Sequence, residues 1–250
     1  MSSAKPKVAL FVTCLVDLFR PSAAFAAVTL LEAAGCTVDA PQSQTCCGQP
    51  AYNSGDKADA MALAVQTIRA LMDYEYVVVP SGSCAAMIRH HYPDLMAGDA
   101  ELAAQARALA AKTYELTQFL HDVMHYKPDA AASGNITYHD ACSGLRELGV
   151  QAQPRALLQS PILENDDGET CCGFGGTFCV KYTDVSTAIA DKKLDKFSAT
   201  GATIVTGGDL GCLMHLAGRA ARRGMDLQFR HVAEILAGDI QTPAIAGPEK

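Results

Sequence analysis

Two adjacent cysteines followed by glycine occur twice in the chain, as Cys46-Cys47-Gly48 and, 125 positions later, as Cys171-Cys172-Gly173. Each pair has outlying partners. Thirty-one residues separate Cys14 from the first pair and 36 separate that pair from Cys84. In the second copy, 28 residues separate Cys142 from the pair and 39 separate the pair from Cys212. The pattern C…CCG…C is therefore written twice, and it takes in eight of the ten cysteines. Four thiolates meeting at one point suit zinc or an iron–sulfur cluster, both of which take soft sulfur ligands. Neighbouring side chains diverge, so placing both members of a pair on one tetrahedral zinc strains the loop. A cluster of several irons accepts ligands that point apart. Gly173, Gly175 and Gly176 let backbone N–H groups curl toward sulfur or sulfide. Buried cysteine is also a common small hydrophobe, but eight thiols in repeated register favour ligands over packing.

Thiol chemistry of this kind needs a reducing compartment. The N-terminal stretch, with Lys5 and Lys7 before Val8–Val12 and Ala24-Phe25-Ala26 beyond, imitates a signal peptide. Asp17 and Arg20 interrupt the apolar run, however, and Ile136–Cys142 repeats the same strand-then-cysteine arrangement in mid-chain. No run of 18 apolar residues marks a spanning helix. The chain reads as cytoplasmic, with reduced thiols. Its net charge of −7 argues against nucleic acid or an anionic membrane as partner. A hydrophobic fraction of 49% over 250 residues is enough for one large core or two smaller ones.

The elements that must position the cysteines repeat as well. In the first half, strands are expected at Val8–Val12, Thr37–Asp39 and Tyr76–Pro80. Helices are expected at Ser22–Ala34, at Asp56–Asp73 with Met61, Val65, Ile68 and Met72 on one face, and over 84–91, 100–111 and 113–125. In the second half, strands are expected at Asn135–His139, Ile162–Glu164 and Thr203–Thr206. Helices are expected at Pro154–Gln159, at 184–198 with Ala190, Leu194 and Phe197 inward, and at 213–223. The last helix of each half shows the same apolar spacing, Leu116, Phe119, Leu120 against Val232, Ile235, Leu236. Alternating strands and helices predict an α/β fold: two tandem, pseudo-symmetric α/β domains with mainly parallel sheets flanked by helices. The expected division is 1–130 and 131–240, with a loose tail over 241–250.

Other chemistry-bearing residues read as ordinary. His139 is either a tuning hydrogen-bond partner near Cys142 or a satisfied core histidine. Lys181 is either a counter-charge to an anionic cluster or a plain surface lysine. Asp17, Arg20 and Arg146 follow the single cysteines and are either ion-pair partners or plain surface charges, the plain reading being preferred. Gly173-Phe174-Gly175-Gly176 lacks the G-x-G-x-x-G fingerprint of a dinucleotide site. Cys36 and Cys179 stand outside the repeat: their positions in the other copy are Pro161 and Ser54. Neither is expected to be a ligand.

The strings Phe11–Cys14, Cys46–Gly55, Pro80–Cys84, Cys171–Phe178, Cys212–Met214 and His231–Leu236 resemble the lactate utilisation protein A family of bacterial iron–sulfur proteins, nearly end to end. More distantly, the two CCG repeats are similar to the cysteine-rich domains of heterodisulfide reductase and of the glycolate oxidase iron–sulfur subunit. The resemblance implies a subunit of an NAD-independent system that oxidises L-lactate to pyruvate. It implies two partner subunits, one with ferredoxin-type clusters; with no C-x2-C-x2-C run of its own, the chain is expected to pass electrons to or from a partner. Distant relatives end each copy in C-x-x-C, where this chain carries Ser81 and Asp209 at the first position. One four-thiolate cluster per repeat, [4Fe-4S] in type, is therefore expected, held by Cys14, Cys46, Cys47 and Cys84 in the first and by Cys142, Cys171, Cys172 and Cys212 in the second. The rival readings are a zinc-binding scaffold and a thiol–disulfide reductase built on a CC pair.

Overall fold

β1 (Lys7–Leu10) is a short apolar strand whose Val8, Ala9 and Leu10 are all buried, the composition of a parallel sheet covered on both faces. It opens a computed structural model that describes residues 5–166, 168–239 and 241–247. The first half continues through α1 (Cys14–Phe19), α2 (Pro21–Ala33), β2 (Thr37–Asp39), α3 (Gln49–Asn53), α4 (Lys57–Leu71) and β3 (Tyr76–Val79). After β3 come α5 (Gly82–Ala86), a π-helical turn at Met87–His91, α6 (Tyr92–Leu95) and α7 (Ala100–Ala111). The half closes with β4 (Thr113–Glu115), α8 (Leu116–Gln118) and a second π-helical turn at Phe119–Val123. The second half runs β5 (Ile136–His139), α9 (Cys142–Arg146), α10 (Ala152–Leu158), α11 (Phe178–Lys181), α12 (Thr183–Ala199), β6 (Ile204–Gly207), α13 (Leu210–Arg222), β7 (Gln228–His231) and α14 (Val232–Leu236).

The first sheet is ordered β2-β1-β3-β4 and the second β5-β6-β7, with every pairing parallel. Ile162 forms a single parallel bridge to Ile136, in the place that β2 holds against β1. The two sheets thus share one strand order, and the chain is α/β with parallel sheets flanked by helices, as the repeat predicts. Three details differ from the sequence reading. The stretch 113–125 begins with a strand, β4, before turning helical. β7 was not foreseen, because both strands are short and run straight into helices whose apolar periodicity dominates the pattern. In α4 the buried face is Ala60, Ala64, Ile68 and Leu71, while Met61 is 37% exposed; the small alanines let that helix lie close on the core.

Each half lends its last helix to the other. α14 lies on α2, and α10 lies on α8 and the π-helical turn that follows it. Leu157 and Ala233 consequently belong to the same buried cluster as Val8, Leu10, Leu30 and Phe119. Arg20 is not a surface charge: its guanidinium donates to both carboxylate oxygens of Glu234 at 2.7 and 3.0 Å, with Glu234 fully buried. Of the expected loose tail, residues 241–247 follow the second sheet, with Ile245 bridged antiparallel to Phe229 and Arg230 donating to the Thr242 carbonyl at 2.7 Å. Residues 248–250 lie outside the described residues. No helix among the described residues is long and apolar enough to cross a membrane.

Candidate metal centre

The four single cysteines stand at equivalent places. Cys14 and Cys142 are the first residues of α1 and α9, which follow β1 and β5. Cys84 and Cys212 lie in the first turn of α5 and α13, which follow β3 and β6. All four therefore converge at the carboxyl ends of parallel strands, where α/β folds build their sites. Thr13 turns the chain into α1 through a left-handed φ of 71°, an unusual conformation for a β-branched residue.

The cysteine pairs arrive on loops shaped by glycine. Gly48 and Gly173 have φ of 85° and 88°. A Cβ on Gly173 would stand 2.5 Å from the Ser186 carbonyl oxygen, so no other residue fits there. The resulting curl aims backbone N–H groups at sulfur: Gly48 donates to Cys46 Sγ at 3.4 Å, Gly173 to Cys171 Sγ at 3.3 Å and Phe174 to Cys172 Sγ at 3.4 Å.

Within each half the four thiols form one chain of contacts. Cys14 meets Cys46, Cys46 meets Cys47, and Cys47 meets Cys84 with 3.3 Å between the sulfurs. Cys142, Cys171, Cys172 and Cys212 repeat that order. Cys46 and Cys171 each accept from a single-cysteine thiol, from the adjacent cysteine and from a glycine N–H, and these bonds hold them well below the usual thiol range against the opposing effect of burial. Their neighbours Cys14, Cys47, Cys142 and Cys172 are pushed up, first by hydrogen bonding to those thiolates and then by burial. Within each set the negative charge is therefore favoured on Cys46 or Cys171 over its neighbours.

All eight of these cysteines line one cavity of about 300 Å³ between the halves. Cys47 and Cys172 are the deepest, at 2% exposure each. The cavity is also lined by Ser81 and Asp209, each three positions before the last cysteine of its copy. They bind each other. Asp209 accepts from the Ser81 hydroxyl at 2.7 Å, from the Ser83 hydroxyl at 2.6 Å and from the Ser83 N–H at 3.2 Å. This link across the halves was not legible in the sequence, because nothing local couples residues 128 positions apart.

The two cysteines outside the repeat do not line the cavity. Cys36 is buried in the apolar cluster of Leu30 and Leu31. Cys179 donates to the Gly176 carbonyl at 3.2 Å. Lys181 is exposed and stands off the cavity. His139 is 1% exposed, and burial, aided by nearby Lys193, pushes its pKa down to about 3. Neither of its ring nitrogens has a hydrogen-bond partner among the described residues, so the satisfied-core reading of this histidine is set aside.

As a donor set the site fits a sulfur-bound metal group. Four thiols gathered in one chain of contacts, with N–H groups aimed at them, form a soft sulfur donor set of the kind that thiolate-bound metals take. The neighbouring-cysteine geometry, repeated twice on glycine-curled loops, defines a protein built from tandem cysteine-rich modules. A family model described as "CCG: Cysteine-rich domain" matches residues 8–89 and 136–217, the two segments that contain the two sets of four cysteines. The chain is 48% identical over 236 residues to "Lactate utilization protein A" of Geobacillus kaustophilus (strain HTA426), covering 92% of this chain and 98% of that one. It is 47% identical to the protein of that name in Geobacillus thermodenitrificans (strain NG80-2) over 236 residues, with the same coverage. In Bacillus cytotoxicus the protein so named is 44% identical over 235 residues, again covering 92% and 98%. The chain belongs to the lactate utilisation protein A family.

Proposed function

We propose that the chain is an iron–sulfur subunit of an NAD-independent system that oxidises L-lactate to pyruvate. The observation that carries this reading is the arrangement of eight thiols as two touching sets of four around one cavity. The printed names of the relatives supply lactate as the metabolic context. Cys14, Cys46, Cys47 and Cys84 are proposed to hold one cluster and Cys142, Cys171, Cys172 and Cys212 the other. Clusters of this kind supply one-electron transfer at a potential set by hydrogen bonds to sulfur and by solvent exposure.

The chain's own part is positioning. The N–H groups of Gly48, Gly173 and Phe174 steady the negative charge of the cysteine pairs. The Ser81–Asp209 link fixes the spacing between the two sets. Conversion of lactate to pyruvate releases two electrons and two protons, so one-electron carriers must work in series with a lactate-handling site and an acceptor. The proposed assembly therefore includes two other subunits, one with ferredoxin-type clusters, in the cytoplasm. Protein purified without oxygen is expected to be brown, with broad visible absorption that dithionite bleaches. A colourless protein with stoichiometric zinc would show a structural scaffold instead. A metal-free protein with a reducible cysteine pair would show a thiol–disulfide reductase.

A further inference from the structure

His139 ends β5, three residues before Cys142. The equivalent residue three positions before Cys14 is Phe11, which is fully buried and ligates nothing. The two halves therefore place an apolar ring and an imidazole at the same point beneath their thiol sets. The imidazole is nine-tenths buried and more, and both its nitrogens lack partners among the described residues. Buried polar groups left in that condition require an explanation, and a bound metal is one of them.

The surroundings narrow the choice. Phe197 meets the ring edge-on, with centroids 6.2 Å apart. A Cβ on Gly207 would come within 2.9 Å of the His139 carbonyl oxygen, so the neighbouring strand leaves no space for a further polar side chain there. On the remaining side, a ring nitrogen and the sulfurs of Cys172 and Cys212 all lie within 4.8 Å of one another. No hydrogen bond joins the ring to either sulfur. The three donors thus lie close enough for one metal group to span them.

We propose that His139 is a ligand, through a ring nitrogen, of the metal group in the second half, as a fifth donor beside the four thiolates, whereas the first half binds through thiols alone. The inference rests on the cluster reading proposed above. An added imidazole donor changes the electron density on the iron it binds, so the two sites are set to different reduction potentials.

The test uses the whole chain, loaded with iron under anaerobic conditions and grown with isotopically labelled histidine. Electron–nuclear double resonance of the reduced wild-type protein is expected to show a directly bound nitrogen. His139→Phe installs the residue that the first half already accommodates. It is expected to remove that coupling, keep the first-half signal and shift one of the two reduction steps while the other stays in place. Full iron with no directly bound nitrogen in the wild type overturns the ligand, and so does a His139→Phe chain whose two reduction steps stay in place. A chain that takes up no iron overturns the proposed function and this ligand with it.

Discussion

Cys47 and Cys172 show what a single side chain contributes at this site. Each is 2% exposed, each follows a cysteine whose thiolate is stabilised, and each sits in the middle of a chain of sulfur contacts. These eight positions were legible in the sequence because the repeat displays them twice. Asp209 and His139 were not, since their roles depend on what lies opposite them in space. Cys36 and Cys179 supply the control. Cys36 packs among aliphatic residues and Cys179 bonds to a carbonyl, both away from the cavity lining. Cys36→Ser and Cys179→Ser are each expected to keep the full metal content and an unchanged reduced-state spectrum. Loss of metal in Cys179→Ser would place a further thiol in the second-half site and contradict the four-thiol assignment.

At the scale of elements, each half closes on a short helix that starts directly from a strand. Glu115 caps α8, its Oε2 accepting from the N–H groups of Thr117 and Gln118 at 2.7 and 3.0 Å. Its other oxygen has no partner among the described residues. Burial, with a smaller contribution from the negative charge of Asp209, raises its pKa from 4.5 to about 7. A carboxyl with a raised folded-state pKa holds a proton that the unfolded chain has already released. Its contribution to stability is complete below pH 4.5 and is lost as the pH rises through about 7. Glu115→Gln keeps a capping acceptor and cannot ionise. Urea denaturation at about pH 5 and about pH 8 is expected to show the variant gaining about 2 kcal/mol on the wild type between the two. Equal pH dependence in both proteins would mean that Glu115 is ionised throughout. The strand that carries Glu115 escaped the sequence reading because Thr113-Tyr114-Glu115 offers three residues of pattern before the helical spacing of Leu116, Phe119 and Leu120 takes over.

For the whole molecule, the repeat made two parallel sheets legible but not their interlocking, because contacts between α14 and α2 or between α10 and α8 leave no local pattern in the sequence. The cavity that holds the eight thiols exists only while the halves stay together, and the Arg20–Glu234 pair is a principal tie between them. Removing one partner of such a pair leaves a buried charge uncompensated, at a cost of about 3–5 kcal/mol. Arg20→Met is expected to lower stability by that amount, and Arg20→Met combined with Glu234→Gln to recover most of it. Both should unfold in a single transition, and separate transitions for the halves would contradict the interlocked core. The central claim is that each set of four thiols holds its own cluster. Its most direct measurement is iron and acid-labile sulfide per chain in anaerobically prepared wild type and Cys47→Ser. The account predicts about eight irons in the wild type, as two four-iron clusters, and about half of that in Cys47→Ser with the second-half cluster still readable. Stoichiometric zinc in place of iron, or loss of all iron on the single substitution, would contradict it.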